Sequence, residues 1–188
     1  MNIWKDINPS RIKPEDFVAF IEIEKGSKNK YELDKETGLI ILDRVLYTST
    51  HYPMNYGFIP LTYAEDGDPL DVFVLCSQPI EKMSLVRCYP IGIVKMIDRD
   101  AMDEKVICIP FGDPEYNDVK DIKELPNHLL DELRHFLKVY KELSKVNKNV
   151  SLVYLDHQGN FCSSKHLVDL EERKKRSRPS WKSCRQCR

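Results

Sequence analysis

The sequence predicts an α+β fold with a closed or nearly closed sheet, from the order of its elements and a change of hydrophobic period. Short β-like runs fill the first half of the chain, and clusters of Gly, Pro, Asn and Asp separate them. Several short strands divided by turn residues are typical of a barrel or a sandwich. The second half changes to helical spacing, so strands come first and helices follow.

Each element follows from its own stretch of sequence. Strands are expected at 18–24, 30–35, 39–46, 72–76, 84–97 and 104–111. Leucines and aromatic residues recur at helical spacing after the start signal Pro126-Asn127, which predicts a helix over 127–146. The amphipathic segment 164–176 predicts a last helix. No repeat or linker divides the chain, so we expect one domain over 1–176 and a disordered basic tail at 177–188.

Composition indicates an ordinary globular protein, with 188 residues that are 41% hydrophobic and 31% charged. No apolar stretch is long enough to span a bilayer, and the first residues lack the pattern of a secretory signal. We therefore expect a cytoplasmic protein that does not associate with membranes. Cys76, Cys88 and Cys108 lie inside apolar runs, which favours buried free thiols over disulfides.

The charge of the chain is unevenly distributed. From Arg173 onward there are eight Lys or Arg residues and no acid, which leaves a net charge of −9 on the rest. A body of that charge is a poor surface for nucleic acid and suits metal cations better. Cys184 and Cys187 form a single CxxC in the tail, whereas a structural zinc site normally needs four ligands.

Four acids lie within seven residues, immediately before the apolar run VFVLC: Glu65, Asp66, Asp68 and Asp71. Two like charges about 4 Å apart near a protein surface repel by about 4 kcal/mol. The stretch is therefore either a solvated turn or a site where cations share the carboxylates. An EF-hand is excluded, because Gly67 and Pro69 fall at the wrong positions and no helix pattern precedes the loop. Magnesium, which prefers a few carboxylates together with substrate phosphates, fits better.

A second acidic group follows the run 84–97, at the junction of two expected strands: Asp98, Asp100 and Asp103. Two acidic strand junctions favour a site for several metal ions over two unrelated turns.

Several cations and phenols accompany these acids, and each has a structural alternative. Arg44 shares a strand face with Ile40, Leu42 and Leu46, so it is either an arginine that reaches solvent or a guanidinium that binds phosphate. Lys30 and Glu32 share a strand face, Lys105 follows the second acidic group, and Lys141 is beside Tyr140. Tyr52, Tyr56 and Tyr140 are either core aromatic residues or hydroxyl donors to phosphate.

Together these residue types indicate metal-assisted phosphoryl transfer to water. No paired Ser–His or Cys–His pattern is visible, and the glycine-rich phosphate loops of nucleotide-binding proteins are absent from the sequence.

Five stretches, in this order and spacing, resemble the family I soluble inorganic pyrophosphatases of bacterial type: EIEKGSKNKYELDKETG (22–38), YPMNYGFIP (52–60), DGDPLDV (66–72), the pattern from Asp98 to Lys105, and VYKEL (139–143). DGDPLDV is the signature of that family. The resemblance covers Phe17 to Val146 and continues more weakly to about Arg176.

The resemblance implies a five-stranded OB-like β-barrel with C-terminal helices packed against it. It implies a cytoplasmic homohexamer that hydrolyses pyrophosphate to two phosphates by in-line attack of a metal-activated water. It also implies several Mg²⁺ ions in each active site.

The resemblance also implies roles for individual residues. The metal ligands are expected to be Asp66, Asp71, Asp98 and Asp103, and Asp68 is expected to be the general base. The phosphate-binding positions are Lys30, Arg44, Tyr56, Lys105, Tyr140 and Lys141. Further active-site positions are Glu22, Glu32 and Tyr52. Arg99 departs from the acid that many bacterial relatives have after the position of Asp98.

Two other functions remain open from the residues alone. One is a Mg²⁺-dependent hydrolase of nucleotides or organic diphosphates, which a substrate panel would distinguish. The other is a non-catalytic OB-type nucleic-acid binder, which would need a basic groove with stacking aromatic residues.

Overall fold

A computed structural model of the chain describes residues 2–64, 67–98, 101–144, 149–155 and 161–162. These residues form ten strands and one α-helix, α1 (Asn127–Val139). The strands are β1 (Ile12–Lys13), β2 (Asp16–Ile23), β3 (Asn29–Leu33), β4 (Ile40–Val45), β5 (Asn55–Ile59), β6 (Leu70–Val74), β7 (Leu85–Asp98), β8 (Ala101–Pro110), β9 (Asn149–Leu155) and β10 (Phe161–Cys162). The fold is therefore mostly sheet, with one helix between β8 and β9. The predicted order, strands first and helices after, is wrong in this respect, because β9 follows α1 and pairs with β7.

Five strands close into a ring of hydrogen-bonded neighbours, in the order β2, β5, β6, β8 and β7. The ring closes because β7 pairs with β2 over Phe17–Phe20 as well as with β8. The β6–β8 pair is parallel, and the other pairs in the ring are antiparallel. The expected closed sheet is confirmed at this level.

All six sequence runs that predicted strands contain strands, but β5, β9 and the two-residue strands β1 and β10 were missed. Asn55 and Gly57 made the stretch of β5 resemble a turn. Each of the two has a structural reason instead. The Asn55 side chain accepts the backbone N–H groups of Lys25 (3.0 Å) and Ile80 (2.8 Å). A Cβ on Gly57 would lie 1.8 Å from the Phe20 carbonyl oxygen, so only glycine allows β5 to approach β2 so closely.

The hairpin of β3 and β4 forms a separate two-stranded sheet. Its register places Lys30 opposite Arg44, and a bulge follows at Tyr31. The expected apolar face of Ile40, Leu42, Arg44 and Leu46 is wrong, because Leu42 is 48% exposed while Leu46 is buried. The physical reason is that Lys30 pairs with Arg44 and Tyr31 with Leu42, so the register skips Asp43 and interrupts the alternation of side chains along β4.

The helix packs one apolar stripe against the sheet. Leu130, Leu133 and Leu137 are buried at helical spacing and join a core cluster that includes Phe73 and Ile107. The helix ends at Val139, earlier than expected, and a 3-10 turn follows at Glu142–Ser144. The predicted last helix and the basic tail lie outside the described residues.

A second core cluster fills the other face of the sheet, around Phe17, Ile21 and Val72. Cys88 and Cys108 belong to this cluster as buried free thiols, and Cys76 is half-buried and free. The prediction for these cysteines is confirmed. Across the described stretches, the structure contains no helix long and apolar enough to cross a membrane.

Candidate active site

Three neighbouring strands bring a tyrosine, an aspartate and a lysine into contact. The parallel register of β6 and β8 places Asp71 opposite Lys105. Tyr56, on the adjacent β5, donates its hydroxyl to Asp71 Oδ2, and the Lys105 ammonium contacts the same oxygen. Lys105 Nζ also lies 3.3 Å from the Tyr56 hydroxyl. Strand order and register therefore build this group, although the three residues are far apart in sequence.

Lys105 is the buried charge around which the site is arranged, because its side chain is only 5% exposed. Its ammonium pairs with Asp71 and lies 2.8 Å from Asp103 Oδ1. Burial opposes the charge, but Asp71 and Asp103 outweigh it and raise the pKa of Lys105 above its ordinary value. The lysine therefore stays charged and holds two carboxylates close together.

Glu22 is a buried carboxyl beside this group. A bulge between Ile21 and Ile23 interrupts the pairing of β2 with β5 and lies at Glu22. Its Oε1 accepts the backbone N–H of Leu33 at 2.7 Å. Burial raises the pKa of Glu22 to about 8, and the charges of Asp71 and Glu32 add to the effect. The side chain is therefore largely neutral at pH 7 in the metal-free protein.

Aromatic rings connect the sheet to α1 next to these charges. The centroid of Tyr52 lies 5.6 Å from that of Tyr56 and 4.8 Å from that of Phe136, and Phe136 stacks on Tyr140 at 4.9 Å. Burial raises the pKa of both Tyr52 and Tyr56, and nearby Asp71 raises them further. The two phenols therefore keep their protons and can donate hydrogen bonds to an anion.

The hairpin contributes two cations held by one carboxylate. Asp43 Oδ2 accepts from Lys30 Nζ at 3.0 Å and from Arg44 Nε at 2.9 Å. Glu32 also contacts the Lys30 ammonium. Burial opposes the charge on Asp43, but the hydrogen bonds from Lys30 and Arg44 lower its pKa below the ordinary value. Asp43 therefore remains charged and allows two like charges to face each other across the strands.

Electrostatic coupling joins the hairpin to the rest of the site. Burial opposes the charge of Arg44, whereas Asp43, Glu32 and Tyr140 raise its pKa. The ammonium of Lys141 lies 5.4 Å from the centroid of the Tyr140 ring. Tyr140 is therefore a core residue, as its position on the apolar stripe predicted, that also lies close to Lys141 and is coupled to Arg44.

Asp68 lies in the turn before β6. Its carbonyl accepts the N–H of Ala64 at 2.7 Å, and Gly67 within the turn has a φ of +87°. The carboxylate pairs with Lys35, a residue that the sequence analysis did not select. Asp43 was missed as well, because a single acid within an apolar strand carries no motif.

Most of the predicted site residues come together in the structure. Contacts or electrostatic coupling join eleven of them: Glu22, Lys30, Glu32, Arg44, Tyr52, Tyr56, Asp71, Asp103, Lys105, Tyr140 and Lys141. Of the other predicted metal ligands, Asp66 lies outside the described residues, and Asp98 is described only as the last residue of β7.

The donor chemistry of the site fits a hard divalent cation. Asp71 and Asp103 offer carboxylate oxygens on either side of one ammonium group. Oxygen donors of this kind suit Mg²⁺. Among the residues that the structure describes, no three His, Cys, Asp or Glu side chains form a complete metal-binding group.

A closed ring of strands bearing paired carboxylates, a buried lysine and phenols is suited to bind metal ions and phosphate, and the comparisons with known proteins specify the class of protein. The family model for inorganic pyrophosphatase matches residues 19–161. The inorganic pyrophosphatase of Aquifex pyrophilus is 47% identical over 142 residues, which cover 74% of this chain and 80% of the relative. Soluble inorganic pyrophosphatase 2 of Chlamydomonas reinhardtii is 48% identical and covers 88% of this chain and 84% of the relative.

A solved structure supports the same assignment. The inorganic pyrophosphatase of Helicobacter pylori matches with a TM-score of 0.72 and 42% identity, covering 78% of this chain and 86% of that chain. The chain belongs to the inorganic pyrophosphatase family, whose members are hydrolases of diphosphate.

Proposed function

We propose that this chain hydrolyses pyrophosphate to two phosphates at the site around Lys105, with Mg²⁺ as the cofactor. The observation that carries the proposal is a buried, charged lysine that holds Asp71 and Asp103 together beside the Tyr56 hydroxyl. Pyrophosphate resists hydrolysis because its negative oxygens repel an incoming nucleophile. Preorganised positive charge in a site sheltered from water reduces that repulsion.

Asp71 and Asp103, together with Asp66 and Asp98, would hold the magnesium ions. Magnesium supplies neutralisation of the phosphate charge and acidifies water at the site. Because Lys105 pairs with both Asp71 and Asp103, its ammonium would lie beside the bound metal ions and could contact the oxygens of the substrate.

The remaining residues bind the anion and accept a proton. Lys30 and Arg44 present adjacent cations from the hairpin, and the guanidinium fork of Arg44 suits two phosphate oxygens. Lys141 adds a further cation near Tyr140. The phenols of Tyr56 and Tyr140 donate hydrogen bonds, while Glu22, Glu32 and Tyr52 support their neighbours. Asp68 would accept the proton of the attacking water.

Three broader properties complete the proposal. The closed ring of five strands supports an OB-like barrel. The free thiols of Cys76, Cys88 and Cys108 support a reducing compartment such as the cytoplasm. A homohexameric assembly rests on family membership alone.

A substrate panel tests the proposal. Phosphate release should be fast with pyrophosphate and at least tenfold slower with ADP, triphosphate or a sugar diphosphate, each with Mg²⁺ present. Equal or faster release from a nucleoside diphosphate would favour the organic-diphosphate alternative. Salt-sensitive RNA binding without any phosphate release would favour the nucleic-acid binder.

Arg44→Ala tests the hairpin as the anion-binding part of the site. The KM for pyrophosphate should rise about tenfold or more, because a charge-assisted bidentate contact is lost. Arg87→Ala is the matched control, since Arg87 pairs with Asp16 on the surface (2.6 Å) and lies outside the site. Unchanged kinetics in Arg44→Ala would make Arg44 a structural residue.

A further inference from the structure

The N-terminal segment packs against the strand end that precedes the Asp68 turn. Trp4 is buried there, and its indole N–H donates to the Thr62 carbonyl at 3.3 Å. The Trp4 carbonyl accepts the N–H of Leu61 at 3.0 Å, and the ring stacks nearly parallel to Tyr63, with centroids 6.4 Å apart. Both the backbone and the indole ring of Trp4 are therefore held in place.

Lys35 extends from the β3–β4 hairpin across this ring. Its ammonium lies 5.0 Å from the Trp4 centroid and pairs with the Asp68 carboxylate. The Lys35 carbonyl also accepts the side-chain amide of Asn2 at 3.3 Å. The N-terminal segment thus holds Lys35 at two points, and Lys35 in turn contacts the proposed proton acceptor.

We propose that Trp4 and Lys35 are positioning residues for Asp68, an inference that rests on the proposed role of Asp68 as proton acceptor.

Main-chain hydrogen bonds in the turn fix the Asp68 backbone, and the Lys35 ammonium contacts the Asp68 carboxylate. The hydrogen bonds of Ala64 N–H to the Asp68 carbonyl (2.7 Å) and of Gly67 N–H to the Ala64 carbonyl (3.1 Å) involve main-chain atoms only. A lysine alone would be a poor anchor, because its long side chain loses rotamer freedom when it is held in place. The indole face reduces that loss by favouring the ammonium at this position before it meets the carboxylate.

The expected effect is modest, because both partners are exposed to solvent. The side chain of Lys35 is 51% exposed and that of Asp68 is 58% exposed. An exposed ion pair changes an equilibrium by only a few fold. The effect should fall on kcat rather than on KM, because the ammonium contacts Asp68 and the Trp4 ring and no proposed phosphate-binding residue.

Lys35→Met tests the inference, with Lys5→Met as the matched control. Lys5 lies over the same indole, 5.5 Å from its centroid, but on an exposed part of the segment away from the site residues. With full-length enzyme, pyrophosphate and Mg²⁺, kcat should fall about three- to fivefold in Lys35→Met while KM stays the same. Lys35→Arg should recover most of the loss, and Lys5→Met should behave as wild type.

Trp4→Leu should reproduce the kcat loss of Lys35→Met. Because Trp4 is buried, the melting temperature of the Trp4→Leu variant is measured in parallel. If this variant fails to fold, the Lys35 variants still test the inference. A double-mutant cycle tests whether Lys35 acts through Asp68. In an Asp68→Asn background, Lys35→Met should cause no further loss of kcat.

Three results would overturn the inference. They are a wild-type kcat in Lys35→Met, a rise in KM with unchanged kcat, which would make Lys35 a phosphate ligand, and an undiminished effect in the Asp68→Asn background. Absence of pyrophosphate hydrolysis by the wild-type enzyme would instead contradict the proposed function, so the two failures are distinguishable.

Discussion

Glu22→Gln should change how the stability of the metal-free protein depends on pH. The substitution keeps an oxygen that can accept the Leu33 N–H and removes the ionisable proton. In the folded protein, burial raises the pKa of Glu22 from 4.5 to about 8. Between these two values the folded protein retains a proton that the unfolded chain releases, so rising pH favours unfolding.

The difference between 4.5 and about 8 sets the size of the effect. At about 1.4 kcal/mol for each pH unit, the ionisable Glu22 costs the folded protein about 5 kcal/mol by pH 8. The cost is absent below pH 4.5 and is complete above pH 8. Glutamine avoids it, so Glu22→Gln should gain stability over wild type steadily across this window.

Urea unfolding in EDTA, at intervals from pH 4.5 to pH 9, measures this gain. The unfolding free energy of Glu22→Gln minus that of wild type should increase by about 5 kcal/mol in favour of the variant. Glu15→Gln is the control, because Glu15 is exposed and its difference from wild type should stay constant. If the difference in unfolding free energy between Glu22→Gln and wild type does not vary with pH, Glu22 is not a buried, protonated carboxyl in the folded protein.

Two further predictions concern the β3–β4 hairpin and the contact between β2 and β5. Asp43→Asn removes the negative charge shared by Lys30 and Arg44, so the inhibition constant of product phosphate should fall about threefold. An unchanged or larger inhibition constant would contradict this prediction. Asp16→Asn, which removes the surface partner of Arg87, is the control. Gly57→Ala places a Cβ 1.8 Å from the Phe20 carbonyl oxygen and should lower the free energy of unfolding in urea by about 3 kcal/mol. A loss below about 0.5 kcal/mol would contradict the close approach of β5 to β2.

The strands were predictable where their signal was local. Apolar runs bounded by turn residues identified β2, β3, β4, β6, β7 and β8, because alternation and β-branching are properties of the strand itself. The stretch of β5 failed this criterion, since Asn55 and Gly57 serve contacts made by other parts of the chain. The exposure of Leu42 could not be predicted either, because the register shift that skips Asp43 depends on how β4 pairs with β3.

The residues of the candidate site were likewise predictable only where their signal was local. The signature around Asp71 and the spacing to Asp103 and Lys105 could be found from the sequence, because the motif itself is contiguous. Asp43 and Lys35 could not, because each acts through a contact set by strand register or by the N-terminal segment. The roles assigned to the site residues remain predictions.

The dependence of hydrolysis on magnesium tests the central claim most directly. Phosphate release from pyrophosphate is measured for wild type and for Asp71→Asn, each in EDTA and over a series of Mg²⁺ concentrations. Wild type should be inactive in EDTA and active with Mg²⁺, while Asp71→Asn should need at least tenfold more Mg²⁺ for half of its maximal rate. Full activity of wild type in EDTA, or an unchanged Mg²⁺ requirement in Asp71→Asn, would contradict the account.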